Sequence, residues 1–156
     1  MELQGEIDLE RVESKNVIVF FKDLRRVVPC LPHLTSYNII DEKTVKASFK
    51  AKIGSISVLE YVYRITADVM ITLDKYDESK NYIEYSFDGK SAGINYTGKI
   101  FLNVLNTNNS VKIKWSASVD IGKRLEKLMR FINIENLIND LINDVIENFK
   151  KCIASN

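Results

Sequence analysis

The residues of this chain best suited to chemistry are its aromatics. Phe49, Tyr61, Tyr63, Tyr85, Phe87, Tyr96 and Trp115 all fall on one face of segments that alternate apolar and polar side chains. That face is the buried one in a half-exposed strand, and aromatic packing fills many β-protein interiors. A buried phenol must also find a hydrogen-bond partner, and four inward tyrosines are many for a dry core to satisfy. Water, or the polar head of a bound apolar molecule, would satisfy them. These aromatics, with Ile138 and Leu141 from a C-terminal helix, are the candidate ligand-binding residues.

Other chemistry lacks its parts. The sole histidine, His33, follows Pro32 in a turn, with no serine or cysteine nucleophile motif beside it. No His, Cys or carboxylate set has metal-ligand spacing, and no phosphate-binding loop occurs. Gly89 and Gly93 read as turn residues, and Glu60 and Asp68 fall on a solvated strand face. No catalytic, metal or cofactor site is expected, and the chain reads as a non-enzyme. A cyclase or hydrolase using buried tyrosines as acids is the least favoured alternative, since no inward carboxylate or histidine stands beside them.

Lys123, Lys127 and Arg130 share a helix face at i, i+4 and i+7, with Arg124 beside them and Lys22, Arg25 and Arg26 earlier in the chain. A solvated helix face explains them. The functional alternative is docking to anionic lipid headgroups or an acidic partner. The net charge of +1, from 22 basic and 21 acidic residues, gives no field that would steer nucleic acid. At 46% apolar and 28% charged the composition is that of a soluble globular domain. The first residues lack a basic and then apolar leader, and no run approaches the ~18 consecutive apolar residues of a membrane span. Cys30 and Cys152, far apart and without ligand spacing, are expected as reduced, semi-buried thiols. Together these readings place the chain in the cytoplasm.

The positioning elements follow from periodicity. Leu3, Gly5, Ile7 and Leu9 alternate with polar neighbours as a first strand. Ser14 can cap a short helix carrying Val17, Phe20, Phe21 and Leu24, and Pro29 and Pro32 stop a second short helix or turn within 24–33. Period two then returns in Val45–Ile53, Leu59–Leu73, Ile83–Phe87, Ile94–Val104 and Val111–Val119, with turns at Gly54-Ser55, Asp74–Lys80 and Asn106–Ser110. Short connections make these an antiparallel meander with one apolar face. Residues 122–154 read as the helix that covers it. Its stripe of Leu125, Leu128, Met129 and Ile132 is offset from that of Ile134, Ile138, Leu141, Ile142, Val145 and Phe149, which predicts a break near Asn133. No linker or repeat divides residues 1–156, so a single domain is expected.

This order is similar to the helix-grip fold of the START/Bet v 1-like (SRPBCC) superfamily: an α+β fold with a curved, six- to seven-stranded antiparallel sheet around a long C-terminal helix and two short helices after strand 1. Four local segments resemble the carbon monoxide dehydrogenase G-subunit-like family within it. They are Leu3 two before Gly5, Asp23 with Cys30-Leu31-Pro32, Ile53-Gly54-Ser55-Ile56, and Gly122-Lys123-Arg124-Leu125. His33 stands where the family has glycine, Ser55 where it has proline, and a second glycine early in the last helix is missing. The resemblance implies a cavity between sheet and helix that holds a lipid-like or isoprenoid/quinone molecule. It further implies service to a molybdenum hydroxylase or CO dehydrogenase-type complex, and contact with the inner face of the membrane. A filled interior with a docking role for a partner subunit is the alternative.

Overall fold

The computed structural model describes residues 1–53, 63–91, 93–123, 126–127 and 134–155. Strand β1 (Glu2–Glu10) leads into α1 (Ser14–Phe21), α2 (Leu24–Val27) and a 3-10 turn (Val28–Cys30). Six strands follow: β2 (Leu34–Asp41), β3 (Thr44–Ile53), β4 (Tyr63–Asp77), β5 (Tyr82–Ser91), β6 (Ile94–Thr107) and β7 (Ser110–Asp120). The last element is α3 (Ile134–Ala154). All strands join one open antiparallel sheet in the order β1-β7-β6-β5-β4-β3-β2. The curved sheet with its C-terminal helix and short helices after β1 is the helix-grip fold.

Register explains how one face becomes apolar throughout. Across the sheet, Ile7 stands opposite Ile113, which stands opposite Val104. Ile83 stands opposite Leu102, and Tyr85 opposite Ile100 and Leu73. Because side chains alternate, these residues share the concave face, and most of them are buried. The amphipathic α1 lays Val17, Ile18, Phe20 and Phe21 over part of that face, chiefly against β6. Asp23 stops and restarts the helix: its carboxylate accepts from the Arg25 amide and caps α2.

Several sequence expectations need correction. Strand β2 has no period-two signal, because it is an edge strand whose residues are nearly all exposed. Ser14 does not cap α1. Glu13 holds that position, and no side chain accepts a cap hydrogen bond there. Strand β4 continues to Asp77, through an irregularity in its pairing with β5 between Leu73 and Lys75. Gly89 is not in a turn but inside β5, whereas Gly93 takes the positive φ of a turn. The expected break near Asn133 lies outside the described residues, and α3 is helical from Ile134.

The largest correction concerns the cysteines. Cys30 and Cys152 form a disulfide, with Cα atoms 6.3 Å apart. A separation of 122 residues hides this from any local pattern. Packing of the last turns of α3 against the 3-10 turn after α2 makes the pair neighbours. The bridge closes most of the chain into a loop and so restricts the unfolded ensemble. Reducing it, or replacing Cys152 by Ser, is expected to lower the unfolding free energy by about 2–4 kcal/mol. Urea titration with and without a dithiol measures this; overlapping curves would show that the bridge contributes nothing.

Candidate functional site

Between the concave face and α3 lies a cavity of ≈ 400 Å³. The sheet supplies Phe49 from β3, Val69 and Ile71 from β4, and Tyr85 and Phe87 from β5. Ile100, Leu102, Trp115, Ala117 and Val119 continue the wall across β6 and β7. The floor is Phe21, Leu24, Val27, Val28 and Leu31, and the roof is one stripe of α3, Leu141, Ile142, Val145, Ile146 and Phe149. Among the described residues, no charged side chain lines this space.

Two features hold the space open. The first is one-ended anchoring of α3. Phe149 stands edge-on to Phe20 and Phe21, with ring centroids 6.2 and 5.4 Å away. One turn later Cys152 is bridged and Ile153 is buried. Further up, Leu141, Ile142, Val145 and Ile146 are only half-buried. The second feature is a set of aromatic–glycine pairs across neighbouring strands. Trp115 stands opposite Gly5, Phe87 opposite Gly98, and Tyr96 opposite Gly89. In each pair the ring occupies the space that a Cβ on the glycine would take. The rings therefore lie down on the sheet instead of standing up into the cavity, an arrangement that also repairs the weak glycine positions in the strands.

Of the candidate ligand residues, Phe49, Tyr85, Phe87, Trp115 and Leu141 line the cavity. Tyr96 does not line it; its ring covers Gly89, 6.4 Å from the Phe87 ring. Tyr61 lies outside the described residues, as do the side chains of Tyr63 and Ile138. Periodicity missed the floor contributed by Val27, Val28 and Leu31. The signal available for it was the apolar run ending at the Pro29 and Pro32 breaks.

The phenols are used differently than expected. The Tyr85 hydroxyl donates to the Phe21 carbonyl at the end of α1, so it is satisfied within the protein and not by a guest's polar head. Burial pushes this phenol far above the ordinary tyrosine range. Burial also raises the Tyr96 phenol, with the Asp68 carboxylate adding to the effect. Asp68 itself accepts from Ser48 on the convex face. Among the described residues, Trp115 Nε1 is the one buried side-chain polar atom without a partner.

The basic cluster is thinner than its sequence. Lys123 and Lys127 are exposed, while Arg124 and Arg130 lie outside the described residues. Lys22 pairs with Glu78, Arg25 with Asp23 at 3.2 Å, and Arg26 sits over the Phe20 ring. His33, at φ 64, places Nε2 3.4 Å from Asp144 of α3, a second tie between floor and roof. Among the described residues no group of His, Cys and carboxylates could hold a metal, and no helix is long and apolar enough to cross a membrane.

Tyr85→Phe is expected to cost about 1–3 kcal/mol, because it leaves the Phe21 carbonyl without its donor. The fold favours the neutral phenol, so its contribution is complete below the unfolded value near 10 and falls as pH rises beyond it. Alkaline titration at 295 nm should show one tyrosine that ionises only with unfolding; its absence in Tyr85→Phe confirms the assignment. Gly98→Val should push the Phe87 ring off the sheet, with a stability loss of about 1–3 kcal/mol. A variant as stable as the parent in thermal melts would show that the glycine is not required.

Comparison with known proteins follows the same lines. Residues 5–154 match the family model described as CoxG, the G subunit of carbon monoxide dehydrogenase. No curated protein matches the sequence. A conserved protein from Geobacillus kaustophilus has a similar structure, with TM-score 0.77 and 17% identity over 99% of this chain and 96% of that one. A START superfamily protein from Mycobacterium smegmatis gives TM-score 0.62 at 7% identity, covering 99% and 97% of the two chains. Ara h 8.0201 gives TM-score 0.64 at 12% identity over 100% and 99%. At such identities the structural likeness speaks for the fold alone.

Proposed function

The chain belongs to the CoxG family of carbon monoxide dehydrogenase, and from that premise we propose that it is a non-catalytic carrier of one uncharged, largely apolar small molecule. The observation that carries this reading is the cavity of ≈ 400 Å³ walled by apolar side chains. Its volume falls within the roughly 300–1,000 Å³ of small-molecule sites, and an uncharged wall disfavours an ionised guest. Each buried methylene contributes about 0.8 kcal/mol, so a guest of about ten carbons gains enough to offset the cost of association. A lipid-like or isoprenoid cargo fits these terms. Phe49, Phe87, Trp115 and Leu141 are the contacts we assign to it, with Tyr85 closing the wall through its apolar ring.

The family's description supports a further step, in which the cargo serves a CO dehydrogenase-type complex. On this reading the protein works in the cytoplasm, with Lys123 and Lys127 at the docking face toward the membrane or that complex. A packed docking factor is disfavoured because its interior would be filled.

An uncharged fluorophore, N-phenyl-1-naphthylamine, should bind at near one-to-one and gain fluorescence. Ala117→Phe, which places a ring in the cavity, should weaken binding by about tenfold or more, with the fold retained by circular dichroism. Equal binding by the folded variant would show that the cavity is not the site.

A further inference from the structure

The disulfide sits where floor and roof of the cavity meet. Cys30 lies between Val28 and Leu31 of the floor, and Cys152 follows Phe149 of the roof by one turn of α3. The bridge is the one covalent tie between the two, and both cysteines are partly exposed, within reach of a small thiol. If it opens, weaker contacts still hold α3: Phe149 against Phe20 and Phe21, and His33 near Asp144. Those contacts let the helix pivot without leaving the sheet. The reduced state also has a partner prepared. Cys30 Sγ lies 3.3 Å from the Arg26 carbonyl, so a new thiol proton finds an acceptor in place. A bridged sulfur has no proton to donate, which leaves that carbonyl contact useful to the thiol form.

We propose that the Cys30–Cys152 bridge is a redox latch on the cavity: bridged, it holds α3 against the floor and retains the guest; reduced, it lets α3 swing and release it. The release half of this inference rests on the carrier reading above, while the latch half does not. A dithiol supplies the reducing equivalents. Its thiolate attacks one sulfur, the S–S bond breaks to a mixed disulfide, and the second thiolate displaces the protein sulfur. The protein gains two electrons and two protons as two thiols, and the dithiol becomes its own disulfide. Re-oxidation by a disulfide of higher potential reverses the exchange.

Hydrogen exchange and probe release, measured on the same samples, test both halves. The full chain is compared in its bridged form, after dithiothreitol, and as Cys30→Ser/Cys152→Ser. Reduction should speed amide exchange in residues 141–153 by about tenfold or more, and exchange in β5 and β6 should stay unchanged. N-phenyl-1-naphthylamine transfer to excess phosphatidylcholine vesicles should accelerate in parallel. The double variant should match the reduced form in either buffer, which separates the bridge from any other effect of the reductant. Unchanged exchange in α3 would overturn the latch whatever the probe does, as would host-purified protein whose two thiols alkylate fully without reduction. Faster exchange with a probe that never binds would keep the latch and sink the carrier reading with its release step.

Discussion

One long helix has to cover an apolar sheet face that it is too narrow to fill. The concave side of the seven strands presents more apolar surface than α1 and α2 can cap, and α3 must take the rest. Close-packed cores tolerate few voids, so a space this size requires something to keep its walls apart. Here α3 is fastened at its C-terminal end, by Phe149, Cys152 and Ile153, and is progressively less buried toward Leu141. Everything about the site follows from that asymmetry: its wedge between sheet and helix, its apolar lining, and the position of its covalent tie.

The aromatic–glycine pairs are the sheet's half of the same arrangement. A cavity needs bulky walls to exclude water and yet cannot let those walls collapse inward. Glycine opposite each large ring resolves the conflict, because the ring settles into the missing side chain's place. The cost is borne by strand glycines that pack poorly alone. Gly5, Gly89 and Gly98 sit on β1, β5 and β6, so the device recurs across the sheet and is not an accident of one hairpin.

Much of this was legible in the sequence where the physics is periodic. Alternation marked β1 and β3 through β7 and placed Phe49, Tyr85, Phe87 and Trp115 on the inner face, because one solvated and one buried side leave a period-two trace. What failed was non-local or unpatterned. Strand β2 is exposed on both faces at the edge, so no alternation was written into it. The Cys30–Cys152 bridge depends on two segments meeting through tertiary packing. Gly89 of β5 looked like a turn residue because its partner, Tyr96, stands on the neighbouring strand. Tyr85 was correctly set inward, but its hydroxyl partner is the Phe21 carbonyl at a helix end, which no strand pattern could supply. His33 departs from the family's glycine and still adopts the left-handed backbone, the Pro32 turn having fixed that geometry whatever side chain follows.

The sheet order has a consequence for how the molecule is assembled. β1 has a single neighbour, β7, and Glu2 pairs with Ser118. Every other ladder joins strands consecutive in the chain. During synthesis, then, the hairpins from β2 to β7 can close in turn as they emerge, while the first strand waits with an unmatched edge until β7 exists. The long loop that its docking closes is the most entropically demanding step in the sheet. A carrier of this shape is thus finished from its middle outward, and its two chain ends, β1 and α3, are the last pieces to find their places.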